Sequence, residues 1–118
     1  MTHRFVEVRV YKLKPGLRDK FHEIAKDAVE MLDRHKITVV GHGPSAHDAD
    51  SYFLMRAYPS LEAREKALQG FYGSEEWAKR FNATVTGMIE SYNTLVLEAS
   101  HPAVAAIAGM APPAAMNS

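Results

Sequence analysis

The stretch RFVEVRVYKL, residues 4–13, alternates between two kinds of side chain and decides the fold. Valines stand at positions 6, 8 and 10 on one side, and Glu7, Arg9 and Tyr11 stand on the other. Because successive side chains of a β-strand point to opposite faces, this period of two predicts strand one. Apolar or aromatic residues occur on both sides, so we expect both faces of the strand to be covered.

The remainder of the first half predicts one helix and a second strand. The turn formers KPG at 14–16 end strand one, and apolar residues then recur at helical spacing from Leu17 to His35. The β-branched run at 37–40 predicts strand two, which should end at the turn sequence GHGP, residues 41–44. His22 and His35 lie on the helix, where we expect boundary or surface positions and assign no role.

The second half repeats the order of strand, helix and strand. Residues 51–58 alternate and predict strand three, and Ser60 is suited to cap a helix that runs to about residue 71. Ser74 repeats the capping pattern ahead of a helix that runs to about residue 90. Residues 94–98 predict strand four. The two halves therefore give six elements in the order β-α-β-β-α-β.

This order is typical of the α+β ferredoxin-like architecture, a four-stranded antiparallel sheet with helices on one face. It occupies residues 1–99, and residues 100–118 form an Ala- and Pro-rich tail without Asp, Glu, Lys or Arg. The second face of the sheet would expose valines, which a monomer rarely tolerates. A second copy packed across a two-fold axis would bury them, so we expect a homodimer with a sheet-on-sheet or barrel-like core.

Composition narrows the classes of function. The 118 residues suffice for one ordinary domain, and 14 basic against 14 acidic residues leave no field to attract nucleic acid. The chain has no Cys, which excludes disulfides, thiolate nucleophiles and Cys-ligated metals. Charges interrupt the N-terminal segment, and no apolar run reaches about 18 residues, so we expect no membrane span and a cytoplasmic protein.

Four short segments resemble the NIPSNAP family. EVRVY at 7–11 followed by KPG at 14–16 resembles the family's opening E-x-R-x-Y…PG segment. YPSLEAR at 58–64 is similar to its Y-x-S-x-x-x-R stretch, and FYGSEEW at 71–77 is similar to its later aromatic, small-residue and Trp segment. The resemblance covers about residues 4–98 and implies the dimeric α/β-barrel superfamily, whose members hold ligands between sheet and helices.

The charged side of strand one allows two interpretations. Buried charges are costly unless they are paired, so Glu7 and Arg9 are expected to form a structural ion pair that fixes the strand register. Alternatively, Arg9 lines a cavity with Arg56 and Tyr58 and orients an anionic or carbonyl ligand by forked hydrogen bonds. This second interpretation predicts five ligand-binding residues: Arg9, Tyr11, Arg56, Tyr58 and Trp77. Trp77 also fits a plain core position.

Two histidines near strand two are candidates for acid–base chemistry. His42, His47 and Asp48 have a spacing that permits a metal triad but is not diagnostic of one, and we predict no metal site and no cofactor. An imidazole titrates near neutral pH, so His42 or His47 is a candidate catalytic acid or base. HExxH, GxSxG and phosphate-binding glycine motifs are absent from the sequence.

Two functions from different classes remain. In the first, a pocket between sheet and helices binds a small carbonyl or aromatic compound. The superfamily resemblance then implies monooxygenase or isomerase-like chemistry without a tightly bound cofactor. In the second, the protein is a non-catalytic dimeric scaffold whose polar strand residues pair internally. Whether Arg9 and Arg56 face a cavity or a carboxylate such as Glu7 discriminates between them.

Overall fold

The structure is a computed structural model that describes residues 3–107 and residue 109. The strands are β1 (Phe5–Leu13), β2 (Thr38–Pro44), β3 (Ser51–Tyr58) and β4 (Ile89–Glu98). The α-helices are α1 (Arg18–Arg34), α2 (Leu61–Tyr72), α3 (Asn82–Met88) and α4 (Pro102–Ile107), and a π-helical turn (Trp77–Phe81) precedes α3. The strands form one antiparallel sheet in the order β2-β3-β1-β4, which confirms the predicted ferredoxin-like fold.

The strand register aligns the helix-facing side chains in three rows across the sheet. Each row contains one residue from β4, β1, β3 and β2, in that order. The first row is Val96, Glu7, Arg56 and Val39; the central row is Thr94, Arg9, Leu54 and His42; the third is Tyr92, Tyr11, Tyr52 and Pro44. The first row thus contains the charged residues Glu7 and Arg56, the central row contains side chains of mixed type, and the third row contains three tyrosines.

The main core lies between this face and the helices α1, α2 and α3. Phe21, Met31 and Leu32 of α1 are buried there, as the helical spacing of the sequence predicts. Phe71 of α2 and Trp77 of the π-helical turn complete the layer. This packing covers one face of the sheet with the longer helices.

The opposite face is covered only at one end. Val6 is buried there against Ala99 and Val104, the latter a residue of α4. Further along the same face, Val10 is 46% exposed and Leu95 is 59% exposed. The apolar tail thus contributes a short helix that packs back on its own sheet; residues 108 and 110–118 of the tail lie outside the described residues.

Two strands are longer than their sequences predict. The predicted final helix ends at Met88 rather than residue 90, and β4 begins at Ile89 rather than residue 94. Within residues 89–93, Glu90 and Asn93 have low β-propensity. Pairing with the whole of β1 nevertheless extends the strand through them. Likewise β2 continues to Pro44 because a bulge between Val39 and Gly41 carries the glycine-rich segment along β3.

Ser60 provides a test of the local sequence signals. Its hydroxyl oxygen accepts a hydrogen bond from the N–H of Ala63 (2.9 Å) at the start of α2. We expect Ser60→Ala to lower the free energy of unfolding by about 1 kcal/mol, because the first turn then loses its cap. Urea denaturation measures this loss. Ser60→Asp should retain most of the stability, and equal losses in both variants would contradict a capping role.

Candidate functional site

A buried carboxylate on β1 organises one end of the site. Glu7 and Arg56 are both fully buried, and Nε of Arg56 donates to Oε1 of Glu7 (2.5 Å). Nε of Arg64, which reaches in from α2, donates to Oε2 (2.8 Å). Burial raises the pKa of Glu7, but the charge of Arg56, the hydrogen bonds from both arginines and the charge of Arg9 outweigh it and lower the pKa. Glu7 is therefore ionised in the folded protein at neutral pH.

Arg9 has a different set of partners. Its Nε donates to Oγ1 of Thr94 (3.1 Å) and its Nη1 donates to Oη of Tyr72 (3.3 Å). The guanidinium also lies 5.0 Å from the ring centre of Tyr92, within the range of a cation–π contact. Within the described residues Arg9 forms no salt bridge, so its contacts are with aromatic rings and neutral oxygens and no carboxylate balances its charge.

The predicted ion pair of Glu7 with Arg9 is replaced by pairs with Arg56 and Arg64. Arg56 lies opposite Glu7 in the strand register, whereas Arg9 lies two residues further along β1. Three arginines therefore surround one carboxylate among the described residues, and the cluster carries an excess of positive charge. Tyr72 links its members, since its Oη also accepts a hydrogen bond from Nη1 of Arg56 (2.9 Å).

A groove opens beside Arg9, between β4 and the helices. It has a volume of about 350 Å³, and its walls include Arg9, Tyr11, Tyr72, Trp77, Asn82 and Tyr92. This volume falls at the lower end of the range for small-molecule sites, roughly 300–1,000 Å³. The π-helical turn supplies Trp77 and directly precedes Asn82; such irregular turns are frequent at functional sites.

A narrower inner cavity lies behind the groove, between α1 and the sheet. It measures about 50 Å³ and is bounded by apolar and aromatic side chains, among them Phe21, Leu54 and Trp77. Tyr72 and Trp77 border both spaces, and their rings meet edge to face with centres 4.8 Å apart. Tyr11 and Val85 also border both spaces, and we call Tyr72 and Trp77 the aromatic wall between the groove and the inner cavity.

His42 and Tyr52 border the inner cavity and form a polar group with His22 of α1. Oη of Tyr52 lies 2.6 Å from Nδ1 of His42 and 2.6 Å from Nδ1 of His22. Burial raises the pKa of Tyr52 to about 12, with a contribution from Tyr11. Burial also lowers the pKa of His42, and the charges of His22 and Lys26 lower it further. At neutral pH, Tyr52 is therefore a phenol and His42 is uncharged.

The structure brings some predicted residues together and separates others. Arg9, Tyr11 and Trp77 line the groove, whereas Arg56 and Tyr58 lie buried beside Glu7. Arg56 is linked to the groove by its hydrogen bond to Tyr72. His47 lies in the β2–β3 loop, where Nδ1 is 3.2 Å from Oγ of Ser45. It is not part of the group formed by His42.

Four residues of the site were not singled out from the sequence: Arg64, Tyr72, Tyr52 and His22. The position of His22 next to buried Phe21 on α1 indicated only a boundary residue, and its partner Tyr52 belongs to a distant strand. Tyr72 and Arg64 fall inside segments of the family resemblance, which was the available signal for them. Their partners are set by tertiary packing rather than by local spacing.

Residues 3–107 contain no group of three or more His, Cys, Asp or Glu side chains arranged to hold a metal ion. None of the helices described is long and apolar enough to cross a lipid bilayer.

The sequence matches the protein-family model named NIPSNAP over residues 6–101, which is most of the chain. No curated protein matches it significantly.

Solved structures with the same fold come from several bacteria. A NIPSNAP family protein of Agrobacterium tumefaciens is 17% identical, with a TM-score of 0.77 over 86% of this chain and 90% of that one. A second one from the same organism, of unknown function, is 22% identical, with a TM-score of 0.74 over 81% and 87%. A Nitrosomonas europaea protein, provisionally described as an antibiotic biosynthesis monooxygenase, is 17% identical, with a TM-score of 0.67 over 86% and 95%.

Removal of the buried carboxylate tests the charged cluster. We expect Glu7→Gln to lower the free energy of unfolding by about 3 kcal/mol or more, because it leaves the buried Arg56 guanidinium without a counter-charge. Urea denaturation at pH 7 measures the change. Glu62→Gln, which breaks an exposed pair with Lys66, is the matched control and should cost less than about 1 kcal/mol. Equal small effects would contradict the central place of Glu7.

Proposed function

This chain belongs to the NIPSNAP family, and we propose that it binds a small aromatic compound with a carbonyl or carboxylate oxygen in the groove beside Arg9. The observation that carries this proposal is the combination of an Arg without a carboxylate partner and several aromatic walls in one groove. A groove of this kind offers a charged anchor for an oxygen and a flat apolar surface for a ring.

The oxygen of the ligand is anchored by Arg9 and Tyr72. Nε and Nη1 of Arg9 each donate one hydrogen bond, to Thr94 and Tyr72, and a guanidinium has five N–H donors, so others can reach a ligand oxygen. Oη of Tyr72 accepts hydrogen bonds from two guanidinium groups, so its own O–H remains available as a donor. Two donors that converge on one oxygen favour an anionic or strongly polarised group.

The ring of the ligand contacts the aromatic walls. Tyr11, Trp77 and Tyr92 border the groove and provide flat surfaces for stacking or edge-to-face contact. Arg56 and Tyr58 take an indirect part, since Arg56 holds Tyr72 in place and both contact Glu7. A small aromatic carbonyl compound fits both the anchor and the walls.

The catalytic form of the proposal is a monooxygenase or isomerase-like reaction without a tightly bound cofactor. It is motivated by the shared fold with the Nitrosomonas europaea protein, and a fold alone does not determine a reaction. The alternative is a non-catalytic dimeric scaffold. That alternative is favoured by the internal pairing of Arg56 with Glu7, but it gives no account of the unbalanced Arg9 in the groove.

We also propose that two copies of the chain pack through the uncovered face of the sheet. Val10 and Leu95 are exposed on this face, and Val8 and Phe53 beside them are only half-buried. A contiguous apolar patch is costly to expose, and a second copy related by a two-fold axis presents the same apolar patch in return. The covering of Val6 by α4 confines the interface to the other end of the face.

Trp77 makes the ligand proposal easy to test, because it is the single Trp of the sequence and borders the groove. We expect 2-naphthoate to change its fluorescence on titration. Arg9→Gln should weaken binding about 10- to 100-fold, the effect of losing a charge-assisted hydrogen bond worth about 1.5–3 kcal/mol.

Two controls accompany this titration. Arg18→Gln removes an Arg outside the groove and should leave the dissociation constant unchanged. Binding of 2-methylnaphthalene, which lacks the oxygen, should be insensitive to Arg9→Gln. Absence of any 2-naphthoate binding, or equal effects of the two Arg variants, would favour the scaffold alternative.

The dimer is tested by a charge on the uncovered face. We expect the protein to have twice the 13.1 kDa mass of one chain in light scattering after size exclusion, and Leu95→Asp to reduce it to the mass of one chain. Leu61→Asp is the matched control, since Leu61 is 54% exposed on α2 and lies outside the interface. A Leu95→Asp variant that remains dimeric would refute this interface.

A further inference from the structure

The hydrogen bonds of Tyr52 impose an order on two histidines. Its single O–H donates to Nδ1 of one imidazole, so the other imidazole must donate its Nδ1–H to the phenol oxygen. His22 and His42 are therefore opposite tautomers when both are neutral. The imidazole that carries its proton on Nδ1 has an unprotonated Nε2, which can accept a proton, and the other imidazole has a protonated Nε2.

The group can carry one added proton but not two without loss of a hydrogen bond. A single imidazolium still donates from Nδ1 to Tyr52 while the other imidazole accepts the phenolic hydrogen. If His22 and His42 were both protonated, both would donate and the phenolic hydrogen would have no acceptor there. Because Tyr52 is only 2% exposed, that loss would be costly.

The sheet register places this group in line with the oxygen anchor. Arg9 and His42 both lie opposite Leu54, on either side of it in the central row. Strands in a sheet are about 4.8 Å apart, so the backbones of Arg9 and His42 are separated by about 10 Å. His42 and Leu54 border the inner cavity, and Arg9 borders the groove on the other side of the aromatic wall. A flat ligand that spans Leu54 would contact both.

We propose that His42 is the general base that removes a proton from the carbon next to the carbonyl group of such a ligand, and that Tyr52 and His22 position it. The inference rests on the proposed function, which supplies the ligand and its anchor at Arg9. The substrate class is an enolisable ketone that carries an aryl ring, or a related 1,3-dicarbonyl compound.

The step is a keto–enol tautomerisation. The C–H bond breaks, its proton forms an N–H bond with Nε2 of His42, and the C–H electron pair forms the C=C bond while the carbonyl π pair moves to oxygen. Arg9 and the O–H of Tyr72 stabilise the resulting enolate oxygen. Return of the proton from His42 to carbon or to oxygen completes the exchange, so no oxidant or cofactor is consumed.

A ring must displace the aromatic wall to reach His42. The inner cavity of about 50 Å³ is smaller than the roughly 150 Å³ of cavities that hold benzene. The wall consists of Tyr72 and Trp77, and Trp77 belongs to the π-helical turn. Entry of the ligand should therefore be visible in the fluorescence of Trp77.

The charged and titratable surroundings of His42 are consistent with a base. Lys26 and His22 approach from α1, Tyr52 lies on the neighbouring strand, and Tyr11 of β1 acts on Tyr52. Lys26 is itself paired with Glu23. Burial and the charges of His22 and Lys26 lower the pKa of His42 from its ordinary value, so the base form is present at neutral pH.

Proton exchange of 2-tetralone in D₂O tests the proposal, with NMR detection of the loss of its α-hydrogens. We expect the protein to accelerate exchange and His42→Asn to lower the protein-catalysed rate about 100-fold or more, the usual contribution of a general base. His101→Gln, which removes an exposed His from the start of α4, should leave the rate unchanged. An unaffected rate in His42→Asn would overturn the role of His42.

The positioning roles of His22 and Tyr52 must be tested by a measurement that a loss of folding stability alone would not change. His22→Gln removes an imidazole whose charge lowers the pKa of His42, so the acidic limb of the rate profile should shift to higher pH. In Tyr52→Phe, long-range ¹H–¹⁵N spectra should show that the two imidazoles no longer adopt opposite tautomers. Altered melting with an unmoved pH limb and unchanged tautomers would overturn the positioning role.

Failure of this inference is distinguishable from failure of the proposed function. Binding of 2-tetralone, seen by Trp77 fluorescence, without His42-dependent exchange would refute the base and leave the groove proposal intact. Absence of binding by both 2-tetralone and 2-naphthoate would overturn both.

Discussion

The burial of Glu7 is the constraint on which the site depends. An ionised carboxylate inside the sheet–helix layer is tolerated only because Arg56 and Arg64 contact it, and Arg56 lies directly opposite in the β1–β3 register. A slip of one residue between these strands would turn every side chain of one strand to the other face. The ion pair therefore opposes the slip that would move Arg9 out of line with His42.

The same pairing explains why Arg9 is left to face the groove. Because Arg56 and Arg64 occupy Glu7, the side chain of Arg9 contacts Thr94, Tyr72 and the ring of Tyr92 instead of a carboxylate of the described residues. A structural ion pair and a ligand anchor were alternatives at the level of sequence. The structure contains the ion pair at Glu7 and Arg56, and the anchor that we propose is a different residue, Arg9. The first holds the strands in register and fixes Tyr72, and the second is left with an unbalanced charge at the edge of the groove.

The sequence predicts the fold well because the signals for it are local. Period-two and helical spacing locate β1, α1 and β3, and Ser60 marks the start of α2. The early start of β4 and the π-helical turn depend on pairing with β1 and on packing against the sheet, which no local window contains. The site follows the same division: Arg9 and Trp77 are suggested by residue type, whereas the link between His22 and Tyr52 joins residues 30 positions apart.

The arrangement across the central row separates two chemical tasks. In the proposed reaction, a positive charge beside the carbonyl oxygen stabilises the oxyanion, and Arg9 supplies a guanidinium there. Accepting a proton requires an uncharged imidazole, which burial and neighbouring cations maintain at His42. A cation too close to the base would depress its pKa until it became a weak base. Leu54 lies between Arg9 and His42 in the central row, so their backbones are about two strand spacings, roughly 10 Å, apart. At this separation each of the two groups retains the charge state that its proposed task needs.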